Sequence, residues 1–345
     1  MLQFGLQTPG TYASNVGSSA PLSMGKPILR TRDDRIGRKL SEGQLRDLLY
    51  TRLSLLMTPP GKVQTESPDS EHGLLIREAI FEVAKMLKRP GWSAYLVGGT
   101  LRDLLVGLGG RYRLVAPRDV DIVVSGATRE ELRKLFEKKL VLERLTRFGG
   151  LHLTKQIVSG HRLLFDIWTL ADTWGFGAQK IEPRIEDFPG TTFLNIDSCA
   201  IELTEPEVGQ RGCYEQGFFA SIAKRLLDVN YAPNPYPFVC VARALVTAAR
   251  LDFRITRTLA EFILRNTAVG GIDALIEAQV SHYGIVRCGP SELGIWIDGI
   301  RRGFESKQGA IRVDVSRARR MQLWRDYPVV DNGTTQPPNQ DLIRA

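Results

Sequence analysis

Asp119 and Asp121 stand two residues apart in the run Asp-Val-Asp-Ile-Val-Val at 119–124. In an extended strand, residues i and i+2 point to the same face. Two carboxylates side by side repel each other unless a cation lies between them. Hard oxygen donors of this kind suit Mg2+, which also bridges substrate phosphates. The plain alternative for a lone Asp-x-Asp is a solvated strand end. Here core-type Ile122, Val123 and Val124 follow at once, so the pair opens a strand that reads as buried. Upstream, Gly98-Gly99 follows the apolar stretch Ala94–Val97. A Gly-Gly turn between strand and helix lets backbone amides approach an anion, with no Cβ in the way and the positive helix end nearby. Alone, such a pair is more often just a turn. Asp166 interrupts the apolar run Leu163–Trp168. A buried charge is costly unless paired or metal-bound. Asp166 is therefore the candidate third carboxylate, against an ion pair with an arginine or a strand-edge place.

The elements that must position these residues can be read from periodicity and punctuation. Ser41 and Gln44 form a capping box ahead of Leu45, Leu48, Leu49, Leu53 and Leu56, a helical spacing that Pro59-Pro60-Gly61 stops. A second helix carries Leu74, Leu75, Ala79, Ile80, Val83 and Leu87. A short strand then leads through the Gly-Gly turn into a helix over Thr100–Val106. Leu108–Arg118 is an arginine-rich loop, and Asp119–Val124 is the next strand. Thr128 and Glu131 cap a helix to Lys139, and strands around 151–157 and 163–168 follow across Ser159-Gly160. Beyond Thr192 the periodicity is mainly helical, with an amphipathic stretch at Val239–Leu251.

The chain has 345 residues, 43% hydrophobic and 24% charged, enough apolar material for a sizeable core. No apolar run approaches the ~20 residues of a spanning helix, so no membrane partner is expected. Lys+Arg exceed Asp+Glu by 46 to 38, a formal +8 that favours polyanionic partners. Four scattered cysteines without a CxxC pair argue against zinc or a disulfide framework, and the N-terminus does not read as a signal peptide. The expected compartment is reducing and cytoplasmic.

Taken together, Leu96-Val97-Gly98-Gly99-Thr100-Leu101-Arg102-Asp103-Leu104-Leu105-Val106-Gly107 followed by Asp119-Val120-Asp121-Ile122-Val123-Val124 resembles the head-domain signature of class II tRNA nucleotidyltransferases and bacterial poly(A) polymerases, in the DNA polymerase β-like superfamily. That signature runs LVGGxVRDxLLG into DxDIV. Weaker matches are Phe148–Leu151, Ile196–Ala200 (with Asp197 where Asn is usual) and Arg243–Phe253, which resembles the neck helix. The similarity spans about residues 75 to 270 and thins toward the end.

The resemblance implies an α+β fold: a small mixed sheet with helices forming the head, then an α-helical neck or body. The division expected is an arm at 1–40, a helix and linker at 41–72, the head at 73–205, the neck and body at 206–330, and a tail at 331–345. It also implies nucleotidyl transfer from an NTP. Gly98 and Gly99 would hold the triphosphate with help from Arg102, and Asp103 would order the turn. Asp119 and Asp121 would bind Mg2+, two ions per site, with Asp166 completing the set. Arg243 could contact nucleotide or make a salt bridge. Tyr236, Pro237 and Cys240 fall where CCA-adding members read the base with Asp and Arg, so that device is absent. The basic stretch Arg317–Arg325 could bind RNA backbone. Trp296 and Trp324 nearby could stack bases, although core or interface places are commoner for Trp. Three readings follow: an RNA 3′-end nucleotidyltransferase; one acting on a protein or small molecule; and an inactive head that binds nucleotide or RNA.

Overall fold

The computed structural model describes residues 40–57, 71–106, 119–137, 139–146, 149–158, 161–204 and 211–325. The arm, most of the first linker, the arginine-rich loop, Phe148, the Ser159-Gly160 turn and the tail lie outside the described residues. Helices α1 (Glu42–Met57) and α2 (Glu71–Leu87) precede β1 (Ser93–Val97), α3 (Gly99–Val106), β2 (Asp119–Ser125) and α4 (Arg129–Phe136). Next come β3 (Val141–Leu145), β4 (Leu151–Val158), β5 (His161–Thr169), α5 (Trp174–Gln179), β6 (Cys199–Glu202), β7 (Cys213–Glu215) and α6 (Phe218–Lys224). The remainder is β8 (Leu226–Leu227), α7 (Pro237–Leu251), β9 (Arg254–Thr256), α8 (Arg257–Tyr283), α9 (Pro290–Glu305), β10 (Ala310–Arg312) and α10 (Arg317–Arg325).

Local signals start the helices where the sequence places them. Ser41 and Gln44 bond each other's backbone amides at 3.2 and 2.9 Å. Thr128 and Glu131 close the same box on α4. Both satisfy N–H groups that a helix start leaves without partners.

Seven strands form one mixed sheet in the order β3-β4-β5-β2-β1-β6-β7. Only the β2–β5 pair among them is parallel. Alternation sorts the side chains. Ala94, Leu96, Val120, Ile122, Val124, Leu151, Leu153, Phe165 and Ile167 face a core covered by α1, α2, α3, α4 and α6. Tyr95, Val97, Val123 and Ala200 face the other way, against Leu170, Phe176, Ile185 and Phe188. Asp119 and Asp121 share the parity of Val123, so they lie on this second face. The fold is α+β, as the resemblance implies.

The expected helical run beyond Thr192 begins instead with β6 and β7, which extend the large sheet beside β1. Such short segments have too little alternation to reveal themselves. A separate apolar core follows around α7, α8 and α9, with a three-stranded sheet β10-β9-β8. The two cores overlap in sequence: Phe218 and Phe219 pack with the large sheet, whereas Phe193, Leu194 and Ile196 pack with α7. Trp296 is buried in this second core, which removes it as a base-stacking residue. Among the described residues no helix is long and apolar enough to cross a membrane.

Candidate active site

Gly98 follows β1 with a φ of +67°, a conformation L side chains rarely adopt. A Cβ built there would lie 2.8 Å from Asp121 Oδ2, so the missing side chain leaves a cradle against that carboxylate. Gly99 then begins α3, and a Cβ there would meet the Arg102 guanidinium at 2.9 Å. Thr100 donates its hydroxyl to the Asp119 carbonyl at 3.0 Å, tying the start of α3 to the start of β2.

Strand register supplies the rest of the geometry. Asp121 pairs with Val97 on one side and with Asp166 on the other. Asp166 in turn pairs with His152 on β4. Paired residues on neighbouring strands share a face. The sheet therefore carries one transverse row, from the Gly98 turn through Asp121 and Asp166 to His152. Asp119 sits one pleat along, opposite Leu164. His152 Nδ1 is 2.5 Å from Asp166 Oδ1. A carboxylate accepts, so Nδ1 carries the proton of that bond. Both side chains are partly exposed, at 15% and 27%.

Beneath the turn lies a buried charge network. Arg102 donates from Nε to Asp103 Oδ1 at 2.9 Å and from Nη1 to Asp197 Oδ1 at 2.6 Å. Arg250 on α7 donates to Asp103 at 3.2 Å, and Arg243 on the same helix donates to Asp197 at 3.2 Å. Arg102, Asp103, Asp197 and Arg250 are all buried. Burial alone would raise the Asp103 carboxyl, but Arg102 and Arg250 hold it below its ordinary range, against the opposing charge of Asp119. Asp197, in the place where the resemblance has Asn, brings a charge that Arg102 and Arg243 match.

Of the residues picked from the sequence, Gly98, Asp121 and Asp166 come together, with Asp119 adjacent. Arg102 and Asp103 are buried in the charge network at the start of α3. Arg243 makes a salt bridge, the second of the two roles weighed for it. In the basic C-terminal stretch, Arg319 pairs with Glu292 and Arg320 with Asp252. His152 and Arg250 were not singled out from the sequence. His152 does show the alternation Leu-His-Leu-Thr, which puts it off the core face, but its partner depends on strand register.

Among the described residues no three His, Cys, Asp or Glu side chains are gathered as a ready-made cation shell. Mg2+ does not need one: it is commonly held by one or two carboxylates together with substrate phosphates. Asp119 and Asp121, beside a cradle that a Cβ would fill, meet that requirement.

A mixed sheet thus carries this row beside a glycine turn. The resemblance read from the sequence is borne out by similarity to poly(A) polymerases. It is 33% identical over 217 residues to poly(A) polymerase I of Salmonella typhi, covering 57% of this chain and 43% of that protein. It is also 33% identical over 97 residues to poly(A) polymerase I of Escherichia coli O6:H1, covering 27% of this chain and 19% of that one. The chain thus spans less than half the length of these curated relatives. A solved structure of a CCA-adding enzyme with CTP aligns at 20% identity and a TM-score of 0.45, over 76% of this chain and 54% of that one. No protein-family model matches the chain.

Proposed function

We propose that this chain transfers a nucleoside monophosphate from an NTP to the 3′ hydroxyl of an RNA and releases pyrophosphate, in a reducing, cytoplasmic setting. The observation that carries this reading is the transverse row of Gly98, Asp121, Asp166 and His152. We assign the amides of the Gly98-Gly99 turn and the N-terminus of α3 to the triphosphate, as anion donors. Arg102 supports that turn from within and adds positive charge below it. Asp103, held by Arg102 and Arg250, keeps α3 in place.

Asp119 and Asp121 would hold Mg2+, two ions in this reading, which would neutralise phosphate charge and polarise the reacting oxygens. The acceptor oxygen attacks the α-phosphorus, the α–β bridging bond breaks, and its electron pair leaves with pyrophosphate. Asp166 is the carboxylate we assign to receive the hydroxyl proton. His152 donates to Asp166 Oδ1 and so fixes the orientation of that carboxylate. We further assign the large sheet with α1 through α6 to the head and the chain from Leu226 onward to a neck and body, because one apolar core gathers around the sheet and another around α7, α8 and α9.

A second reading, transfer to a protein or a small molecule, is favoured by Tyr236, Pro237 and Cys240 at the base-reading positions. Cys240 is buried, and none of the three can offer a carboxylate and guanidinium pair. The test is incubation with Mg2+ and each labelled NTP, with and without RNA. Label in RNA supports the first reading, and label on protein or a small molecule the second. No label overturns both.

A further inference from the structure

Five cations surround a cavity of about 650 Å3 on the helical side of the head: Lys85, Lys88, Arg89, Lys139 and Lys155, with Glu82 as the acidic lining residue. They come from three separate parts of the chain, namely α2 with its exit, the turn after α4, and β4. Helix-end preference accounts for Lys85 and Lys88 near the C-terminus of α2. It does not account for Lys139 or Lys155. The floor is Met86, Leu135 and Leu140, which bring no counter-charge.

The lining charge is about half of the +8 carried by the whole chain. Lys155 is ion-paired with Glu82, and burial pushes its ammonium below the ordinary lysine value despite nearby Glu78. Lys85, Lys88, Arg89 and Lys139 are exposed. Among the other basic residues, Arg319 is paired with Glu292, and Arg312 and Arg320 share the single carboxylate of Asp252. Like charges gathered around one concavity repel each other and oppose folding unless an anion joins them. Lysines are flexible point charges, suited to a phosphate backbone rather than to reading bases.

We propose that this cavity is a binding site for the phosphodiester backbone of RNA, holding a stretch of the acceptor away from its reacting 3′ end. This rests on the RNA reading given above. The strand β4 links the two places. It contributes His152 to the carboxylate row and, three residues on, Lys155 to the cavity on the opposite face, about 10 Å along the strand. An RNA bound at the row by its end would reach the lysines by passing around β3, the edge strand beside β4.

The test compares the full chain with Lys85→Gln/Lys88→Gln/Lys139→Gln, three exposed positions outside the catalytic row. Binding of a single-stranded RNA of about 20 nucleotides is measured from low to high salt. Three neutralised phosphate contacts at about 0.7 each should flatten the log–log salt slope by about 2. Affinity at 0.1 M salt should then fall roughly a hundredfold, with the two proteins converging near 1 M. Binding of an RNA of about 4 nucleotides, too short to leave the row, should not change. In the unaltered chain, RNA should protect the same three lysines from acetylation, a readout that needs no variant.

An unchanged slope, unprotected lysines, or no RNA binding by the unaltered chain overturns the proposal. So does inorganic tripolyphosphate binding to the cavity while RNA does not. Label transfer by the unaltered chain is scored separately. Transfer to RNA with an unchanged salt slope defeats this site and leaves the proposed activity standing. Absence of transfer defeats the activity itself.

Discussion

Replacing His152 tests the carboxylate row at its least obvious member. His152 Nδ1 lies 2.5 Å from Asp166 Oδ1, in register across β4 and β5. A hydrogen bond to a charged group contributes about 1.5–3 kcal/mol. If that bond orients Asp166 for the transfer step, His152→Ala should lower kcat by about 10- to 150-fold, at 1.36 kcal/mol per decade. KM for the NTP should move little, because triphosphate binding is assigned to the Gly98-Gly99 turn. His152→Asn places an amide N–H donor near the Nδ1 position and should recover most of the loss. Steady-state kinetics with separate kcat and KM would be paired with Mn2+ binding followed by electron paramagnetic resonance. Because Asp119 and Asp121 are assigned the cation, Mn2+ affinity should change less than kcat. An Ala variant within twofold of the parent, or an Asn variant as impaired as the Ala variant, would refute the positioning argument.

Further perturbations probe the other parts. Gly98→Ala puts a side chain at φ +67° and 2.8 Å from Asp121 Oδ2; the strain should cost about 1–2 kcal/mol. A lower Tm and at least a tenfold drop in transfer rate are expected, against which an unaffected rate would count. Asp103→Asn removes the carboxylate between Arg102 and Arg250 and should cost about 3 kcal/mol in urea unfolding at pH 7. Because the folded Asp103 carboxyl titrates below its ordinary value of 3.8, its stabilisation is fully present above that value and is lost as pH falls through the lower folded one. The stability gap between parent and variant should therefore hold down to about pH 4 and narrow only below it. Cys213 is lowered by its contact with Cys199, whereas Cys199 is raised well above the ordinary thiol value by burial, and Cys240 and Cys288 are pushed up to about 11 and about 12. Near neutral pH a thiol reagent should label Cys213 first, and Cys213→Ser should abolish that fast phase.

What could be read in advance was what is local. The capping boxes at Ser41 and Thr128, the strand–Gly-Gly–helix unit and the Asp-x-Asp strand each depend on residues within a few positions of one another, and each forms as its residue types dictate. What could not be read depends on pairing between distant segments. The sequence marks Asp166 as an odd charge in an apolar strand, but its neighbours Asp121 and His152 come from strand order and register. β3 was invisible because all five of its residues, Val-Leu-Glu-Arg-Leu, are exposed, so no alternation marks a buried face. Arg250 reads as one more polar position on an Ala-rich helix, yet it is buried against Asp103, 147 residues away. The same applies to Arg319 and Arg320, whose basic run suggests RNA while the folded chain supplies their carboxylates.

The two strand carboxylates are the residues on which transfer to RNA should depend. The direct measurement is label incorporation from α-labelled ATP, and from each other NTP in turn, into an RNA 3′ end in the presence of Mg2+, by the parent chain and by Asp119→Ala and Asp121→Ala. The prediction is 3′-end label with the parent, none above background with either variant, and circular dichroism unchanged in all three. Full incorporation by either variant, or no incorporation into RNA by the parent with any NTP, would contradict it.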